Sequence, residues 1–239
     1  MNGTSAFVSF RCRDGECVED QAWRSVPLDR LAEAAPWRTF RSYRGQQHFS
    51  GAYWSATLRD HVIYESRLEL ARLLFADFDP SVWGIVAQPF LMKVEVDSKV
   101  RRHVPDFLLM TRDGPKVVDV KPFHRLSEPT VGFTFGWARQ LVEARGWPYE
   151  VWSEPPQARL ENIRFLAGYR RPWLFRTDLL EAVLGAGLDG VPLGEASSLF
   201  SAHERPQVQA AVHHLLWTGH LVTDLDGALH PSHVLRVAA

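Results

Sequence analysis

Two short runs hold residues that could do chemistry together: Val104-Pro105-Asp106-Phe107 and Val117-Val118-Asp119-Val120-Lys121. Both lie in segments that read as β-strands, Val104 to Met110 and Lys116 to Val120, with Asp113-Gly114 marking a tight hairpin between them. Side chains alternate along a strand, so Asp119 and Lys121 point the same way. Asp106 and Asp119 stand six or seven residues from the turn on either side, which brings both to the far end of the hairpin. Two carboxylates and one ammonium then share a face. Neighbouring carboxylates repel unless a proton or cation sits between them. Magnesium suits such a place, because it takes oxygen ligands, keeps several waters and uses one or two carboxylates plus phosphate. Manganese is the expected substitute. The backbone carbonyl of Val120 offers another oxygen. A metal there lowers the pKa of a bound water and stabilises charge on a scissile phosphate. Lys121 would either orient that water or neutralise charge developing on the phosphate.

The elements around the hairpin must position these groups. Residues 61–76 read as a helix, with Leu68, Ala71, Leu74 and Phe75 as its apolar stripe. Glu65 and Glu69 are four apart and share one face of it; Glu69 would complete the metal shell, and Glu65 competes for that role. Asp77-Phe78-Asp79-Pro80 ends the helix. Trp83–Ala87 and Phe90–Val96 read as strands, Phe135–Ala144 as a second helix, and Tyr149–Trp152 as a last strand. This order implies an α/β layer structure with a mixed sheet flanked by helices. The plainer alternative for the acidic hairpin is a salt-bridged surface feature, since a lone Asp-x-Lys occurs by chance in most proteins. The combination weighs more: a helical glutamate, Pro-Asp on a strand, a turn, then Asp-x-Lys on an apolar strand. Carboxylates are disfavoured in strands, so a pair at matching distance from a turn needs a reason.

Three segments follow from this reading. Residues 1–59 lead into the core that carries the acidic hairpin, residues 60–155 form it, and residues 157–239 are separate, beyond a Pro155-Pro156 linker. Arg13-Asp14-Gly15-Glu16 reads as a hairpin turn flanked by Cys12 and Cys17, two free thiols with no second pair to complete a zinc site. From Pro36 to Arg59 there is no acidic residue. Arg38, Arg41, Arg44 and Arg59 alternate there with Trp37, Phe40, Tyr43, Phe49, Tyr53 and Trp54, a pattern suited to phosphates and bases. A loop packed on the core with solvated arginines explains that segment equally well. The net charge is −1, so any nucleic-acid surface must be a local concentration of basic residues. Candidate helices at Arg176–Leu184, Leu193–Phe200 and Gln207–Thr218 precede a hairpin of residues 220–223 with 228–230 around Asp226-Gly227. Together these suggest a small winged-helix-like domain. His213 and His214 read as structural. No long apolar run or signal-like start is present, and a cytoplasmic protein, nucleoid-associated when acting, is the expectation.

Glu69, Pro105-Asp106 and Asp119-Val120-Lys121 together resemble the PD-(D/E)xK pattern of restriction-endonuclease-like proteins. More narrowly, Ser66-Arg67-Leu68-Glu69, Phe78-Asp79-Pro80-Ser81-Val82 and Gln88-Pro89 resemble TnsA-like endonuclease subunits of heteromeric transposases over about residues 60–125. The resemblance implies a restriction-endonuclease-like fold in which Glu69, Asp106 and Lys121 are catalytic. The position two before the lysine varies in that family and is Asp119 here. The same likeness favours Glu69 over Glu65, through Ser-x-x-Glu. Gln88 is either a group that supports a metal ligand or a strand-end amide, and His124 is either a phosphate contact or a solvated histidine. The implied activity is cleavage of one DNA strand at each transposon end, beside an integrase-type transposase subunit, with the C-terminal region docking a regulatory ATPase. A stand-alone restriction or repair nuclease, and an inert nuclease-like DNA-binding scaffold, are the alternatives.

Overall fold

The structure, a computed structural model, describes residues 5–38, 49–201 and 203–238. It divides into two compact units, residues 1–76 with 81–154, and residues 77–80 with 155–239. The first unit opens with β1 (Ala6–Arg11), β2 (Cys17–Ala22) and the short helix α1 (Leu28–Ala32). It continues through β3 (Gly51–Ser55), β4 (Asp60–Tyr64), α2 (Arg67–Phe78), β5 (Val82–Ala87), β6 (Leu91–Val96) and β7 (Lys99–His103). It closes with β8 (Phe107–Thr111), β9 (Gly114–Val120), α3 (Pro129–Glu143) and β10 (Tyr149–Trp152).

Two four-stranded sheets result, ordered β2-β1-β6-β7 and β10-β9-β8-β5, beside a separate β3–β4 hairpin. The second sheet is mixed: β10 runs parallel to β9, and β8 is antiparallel to both β9 and β5. All of Phe107–Met110 and Val117–Val120 are buried, which is why these strands read as continuous apolar runs. Val8, Phe10, Met92 and Val94 of the first sheet share one core with Val86, Leu108, Met110 and Val117 of the second. α3 joins it through Trp137, Ala138 and Val142.

Several expectations need correction. The helix anticipated over 61–76 starts only at Arg67, because residues 60–64 pair with β3 as a strand. Glu65 is therefore outside the helix and shares no helical face with Glu69. The turn between β8 and β9 is Arg112-Asp113, with Thr111 opposite Gly114, and Gly114 at φ 110° supplies the left-handed backbone that closes it. β7 lies where no strand was anticipated. Cys12 and Cys17 are free thiols. Among the described residues, no helix is long and apolar enough to cross a membrane.

The second unit contains α4 (Gln157–Leu166), α5 (Thr177–Gly185), α6 (Arg205–Trp217) and a two-stranded antiparallel sheet of β11 (Leu221–Val222) with β12 (Arg236–Val237). α4 was not anticipated. Residues 228–230 do not pair with 220–223. The buried Asn162 of α4 takes the place of a partner strand: its amide donates to the carbonyls of Leu225 and Gly227, and its oxygen accepts from the Leu229 N–H. The helix anticipated over Leu193–Phe200 shrinks to a 3-10 turn at Ala196–Leu199. The N–H groups of Leu193 and Gly194 are bonded to the carbonyls of His233 and Pro231, which ties this segment to the chain near the C-terminus.

Candidate active site

The β8–β9 register places Phe107 opposite Val118, so Asp106 and Asp119 sit side by side just past the end of the ladder. Asp106 is the more constrained electrostatically. Its Oδ2 accepts the Val120 N–H at 2.6 Å. Burial raises its carboxyl well above the usual carboxylate range, and the charges of Asp119 and Glu69 raise it further. The Val120 hydrogen bond and Lys121 oppose that rise without cancelling it. A carboxylate ringed by like charge is the physical signature of a place waiting for a cation or a proton.

Glu69 enters from the first turn of α2. Ser66 donates its hydroxyl to Oε1 at 2.8 Å and accepts the Glu69 N–H, while Oε2 accepts the Glu65 N–H at 2.7 Å. This is a variant of the capping box in which the glutamate reaches the N–H one residue before Ser66; the Ser-x-x-Glu spacing starts the helix and fixes the Glu69 carboxylate, whose charge reaches Asp106. Burial raises the Glu69 carboxyl, and Lys121 draws it partly down. The field of Lys121 thus reaches Glu69 and Asp106 alike, and its ammonium lies 6.0 Å from the centre of the Phe135 ring.

Asp119 is 1% exposed. His103 Nε2 lies 2.9 and 2.8 Å from its two oxygens, and the Tyr149 hydroxyl donates to Oδ2. Burial, with Asp119 alongside, raises the Tyr149 phenol far above its ordinary range, so it stays a hydrogen-bond donor. Strand alternation could not reveal this clamp, because His103 comes from the other sheet and Tyr149 from β10. The sequence signal was present as His103 three residues before Asp106. Beyond Lys121 the chain is braced: the Lys121 N–H bonds the Trp152 carbonyl, Ser153 bonds the Lys121 carbonyl, and Glu154 accepts the Phe123 N–H.

Glu65 does not compete with Glu69 for one helical position. Its carboxylate accepts the Gln88 amide at 2.6 Å. Gln88, 6% exposed and at φ 46°, is a junction. Its N–H bonds the Asp106 carbonyl, its carbonyl accepts the Trp37 N–H, and its side-chain oxygen accepts the Arg38 N–H. The main chain of Gln88 thus holds the backbone of Asp106, while its side chain links Glu65 to the Arg38 N–H. Arg38 is exposed beside this junction, and Arg59 is exposed in the β3–β4 turn at φ 53°. Arg41 and Arg44 lie outside the described residues. His124 is exposed.

The donors fit a hard cation with an incomplete protein shell. Glu69, Asp106 and Asp119 are not drawn into a closed cage: among the described residues, the one His, Cys, Asp and Glu group whose donor atoms all lie within 4.8 Å of one another is Cys12, Asp14 and Glu16, at the β1–β2 turn. An open all-oxygen set beside a lysine is what magnesium accepts, since it retains waters and takes substrate phosphate. The repulsion around Asp106 is what a cation would relieve.

A mixed sheet presenting Asp106 and Asp119-x-Lys121 at one strand end, with a glutamate from a helix, defines an endonuclease-like α/β unit. Residues 79–154 match the family model described as TnsA-like endonuclease N terminal, and this assigns that part of the chain to the TnsA-like endonuclease family. The matched segment contains Asp106, Asp119 and Lys121 but not Glu69. No curated protein matches the chain.

Proposed function

We propose that the chain is a magnesium-dependent DNA endonuclease, the nuclease subunit of a heteromeric transposase, which cleaves one strand at each transposon end. The observation that supports this best is Asp106, crowded by Asp119 and Glu69 and answered by Lys121, within the segment that matches the endonuclease family. Asp106, Glu69, Asp119 and the Val120 carbonyl would hold the metal; Asp119 Oδ2 is engaged by both His103 and Tyr149, so Oδ1, met by His103 alone, is the oxygen with a lone pair to give. The metal supplies a water of lowered pKa and charge stabilisation at phosphorus. Lys121 holds a fixed positive charge where the phosphate gains negative charge. Gln88 and Ser66 keep Asp106 and Glu69 in register with it. Arg38 and Arg59, with Arg41 and Arg44, are proposed to contact DNA phosphates.

The second unit is proposed to be a winged-helix-like docking module for the transposase partner or its regulatory ATPase. Past Arg205, α6 has no Lys or Arg, whereas a helix that reads DNA normally carries basic side chains to the phosphates. The test is a nicking assay on transposon-end duplex, with magnesium or with EDTA, and with or without an integrase-type transposase subunit. Strand-specific nicking that needs both metal and partner is expected. Metal-independent cleavage would overturn the site assignment; partner-independent cleavage of unrelated duplex would favour a stand-alone nuclease.

A further inference from the structure

Strand β7 reads Lys99-Val100-Arg101-Arg102-His103 and forms the edge of its sheet. Its two faces differ. His103 turns inward, opposite the buried Met92, and reaches Asp119. Arg101 and Lys99 share that face by alternation. The Arg101 guanidinium lies 4.9 Å from the centre of the Phe133 ring of α3. Arg101 Nε is buried without a hydrogen-bond partner, and Arg101 forms no ion pair among the described residues. Phe133 is 41% exposed. Arg102 lies on the opposite face, across from Lys93, which is itself bonded to Asp20 at 2.7 Å. Glu95, opposite Val100, also belongs to that outer face.

A guanidinium set over an aromatic ring keeps its terminal N–H groups for an anion, and phosphate is one that its fork matches. A half-exposed phenylalanine beside it offers a surface for sugar or base. The net charge of −1 means that DNA affinity has to come from such local groups. The position is specific, because two residues further along the same face the His103 ring holds Asp119. We propose that Arg101, stacked on Phe133 and followed by Lys99, grips the backbone of the cleaved DNA strand next to the scissile phosphate. This rests on the DNA-endonuclease reading above.

Arg102 provides the control, since removing it deletes the same charge from the other face of the same strand. Full-length wild type, Arg101→Ala, Arg101→Lys and Arg102→Ala are titrated against a fluorescein-labelled mixed-sequence duplex across a salt series. Calcium replaces magnesium to permit binding without cleavage. The slope of log affinity against log salt should fall by about 0.9 in Arg101→Ala. It should stay at the wild-type value in Arg102→Ala and Arg101→Lys. Should Arg101→Ala lose its fold by circular dichroism, Arg101→Gln carries the same measurement. Equal slopes in the Arg101 and Arg102 variants, from a wild-type protein that binds this duplex and nicks transposon-end DNA with magnesium and its partner, overturn this proposal and leave the nuclease reading standing. A wild-type protein that neither binds this duplex nor nicks transposon-end DNA with magnesium and partner overturns both.

Discussion

The two units treat buried polar groups in opposite ways. In the first, Asp106 is a carboxyl raised by burial and by the charges of Asp119 and Glu69, Glu69 is raised by burial and by the charge of Glu65, and Asp119 is almost fully enclosed. In the second, the buried polar groups include neutral ones held by backbone. Asn162 serves three backbone groups, and His214 Nδ1 bonds the Tyr169 carbonyl at 2.7 Å. His213 packs between the Phe165 and Tyr169 rings, and burial lowers the pKa of both histidines. Satisfied neutral groups stabilise a fold, whereas crowded like charges work against it and persist where chemistry needs them. The contrast separates a unit that gathers like charge from one whose buried groups include neutral amide and imidazole side chains.

The sharpest way to break that contrast is at Lys121. Lys121→Ala and Asp119→Ala should each slow nicking by at least about a hundredfold, the scale for losing one group that stabilises developing charge. Thermal melting should show Lys121→Ala still folded. Near wild-type cleavage by either variant removes the residue concerned from the site.

Glu69→Gln should slow nicking by a similar factor. It keeps an oxygen for the capping box, so its melting temperature should change little. Glu65→Gln should cut cleavage far less, because its carboxylate meets Gln88 and not Asp106. Equal losses in the two variants would make Glu65 and Glu69 one functional pair.

Asn162→Ala should be the mirror image. Leaving the backbone groups of Leu225, Gly227 and Leu229 without their partner costs about 2–3 kcal/mol. Hydrogen exchange should show this as faster opening around residues 221–237, while nicking at saturating partner and magnesium stays within about twofold of wild type. A loss of nicking as large as that of Lys121→Ala would tie the second unit directly to catalysis.

The smallest effect is in pH dependence, where the two units should differ in sign. The folded pKa of Asp106 lies above its unfolded value, so its contribution is complete at low pH and is lost as pH rises through the folded pKa. Without metal, Asp106→Asn should therefore melt a few degrees higher than wild type at pH 8, with the difference vanishing in acid. His213 and His214 have folded pKa values below the ordinary 6.5. Their contribution is present above that value and is lost as pH falls below it. Melting curves in EDTA from pH 5 to 8 check both signs, and saturating magnesium should erase the Asp106 difference at pH 8 by replacing repulsion with coordination.

Local spacing alone determined a good deal. The Asp113-Gly114 signal between apolar runs set the β8–β9 hairpin, and equal distances from it put Asp106 beside Asp119. Alternation put Lys121 on the Asp119 side, and Tyr149–Trp152 reads as a strand from its residue types. These are short-range properties, governed by backbone sterics and strand period. What needed tertiary structure were the contacts that cross between elements. His103 and Tyr149 close on Asp119 from two different strands, and Gln88 joins Glu65, Arg38 and Asp106 across more than fifty residues of chain. Glu65 read as helical because its spacing to Glu69 is helical, yet pairing with β3 claimed residues 60–64 and left Ser66 to start the helix. The hairpin expected at 228–230 failed for a related reason: a buried amide from α4 met that loop's hydrogen-bonding needs, and only the packed chain could bring Asn162 to it.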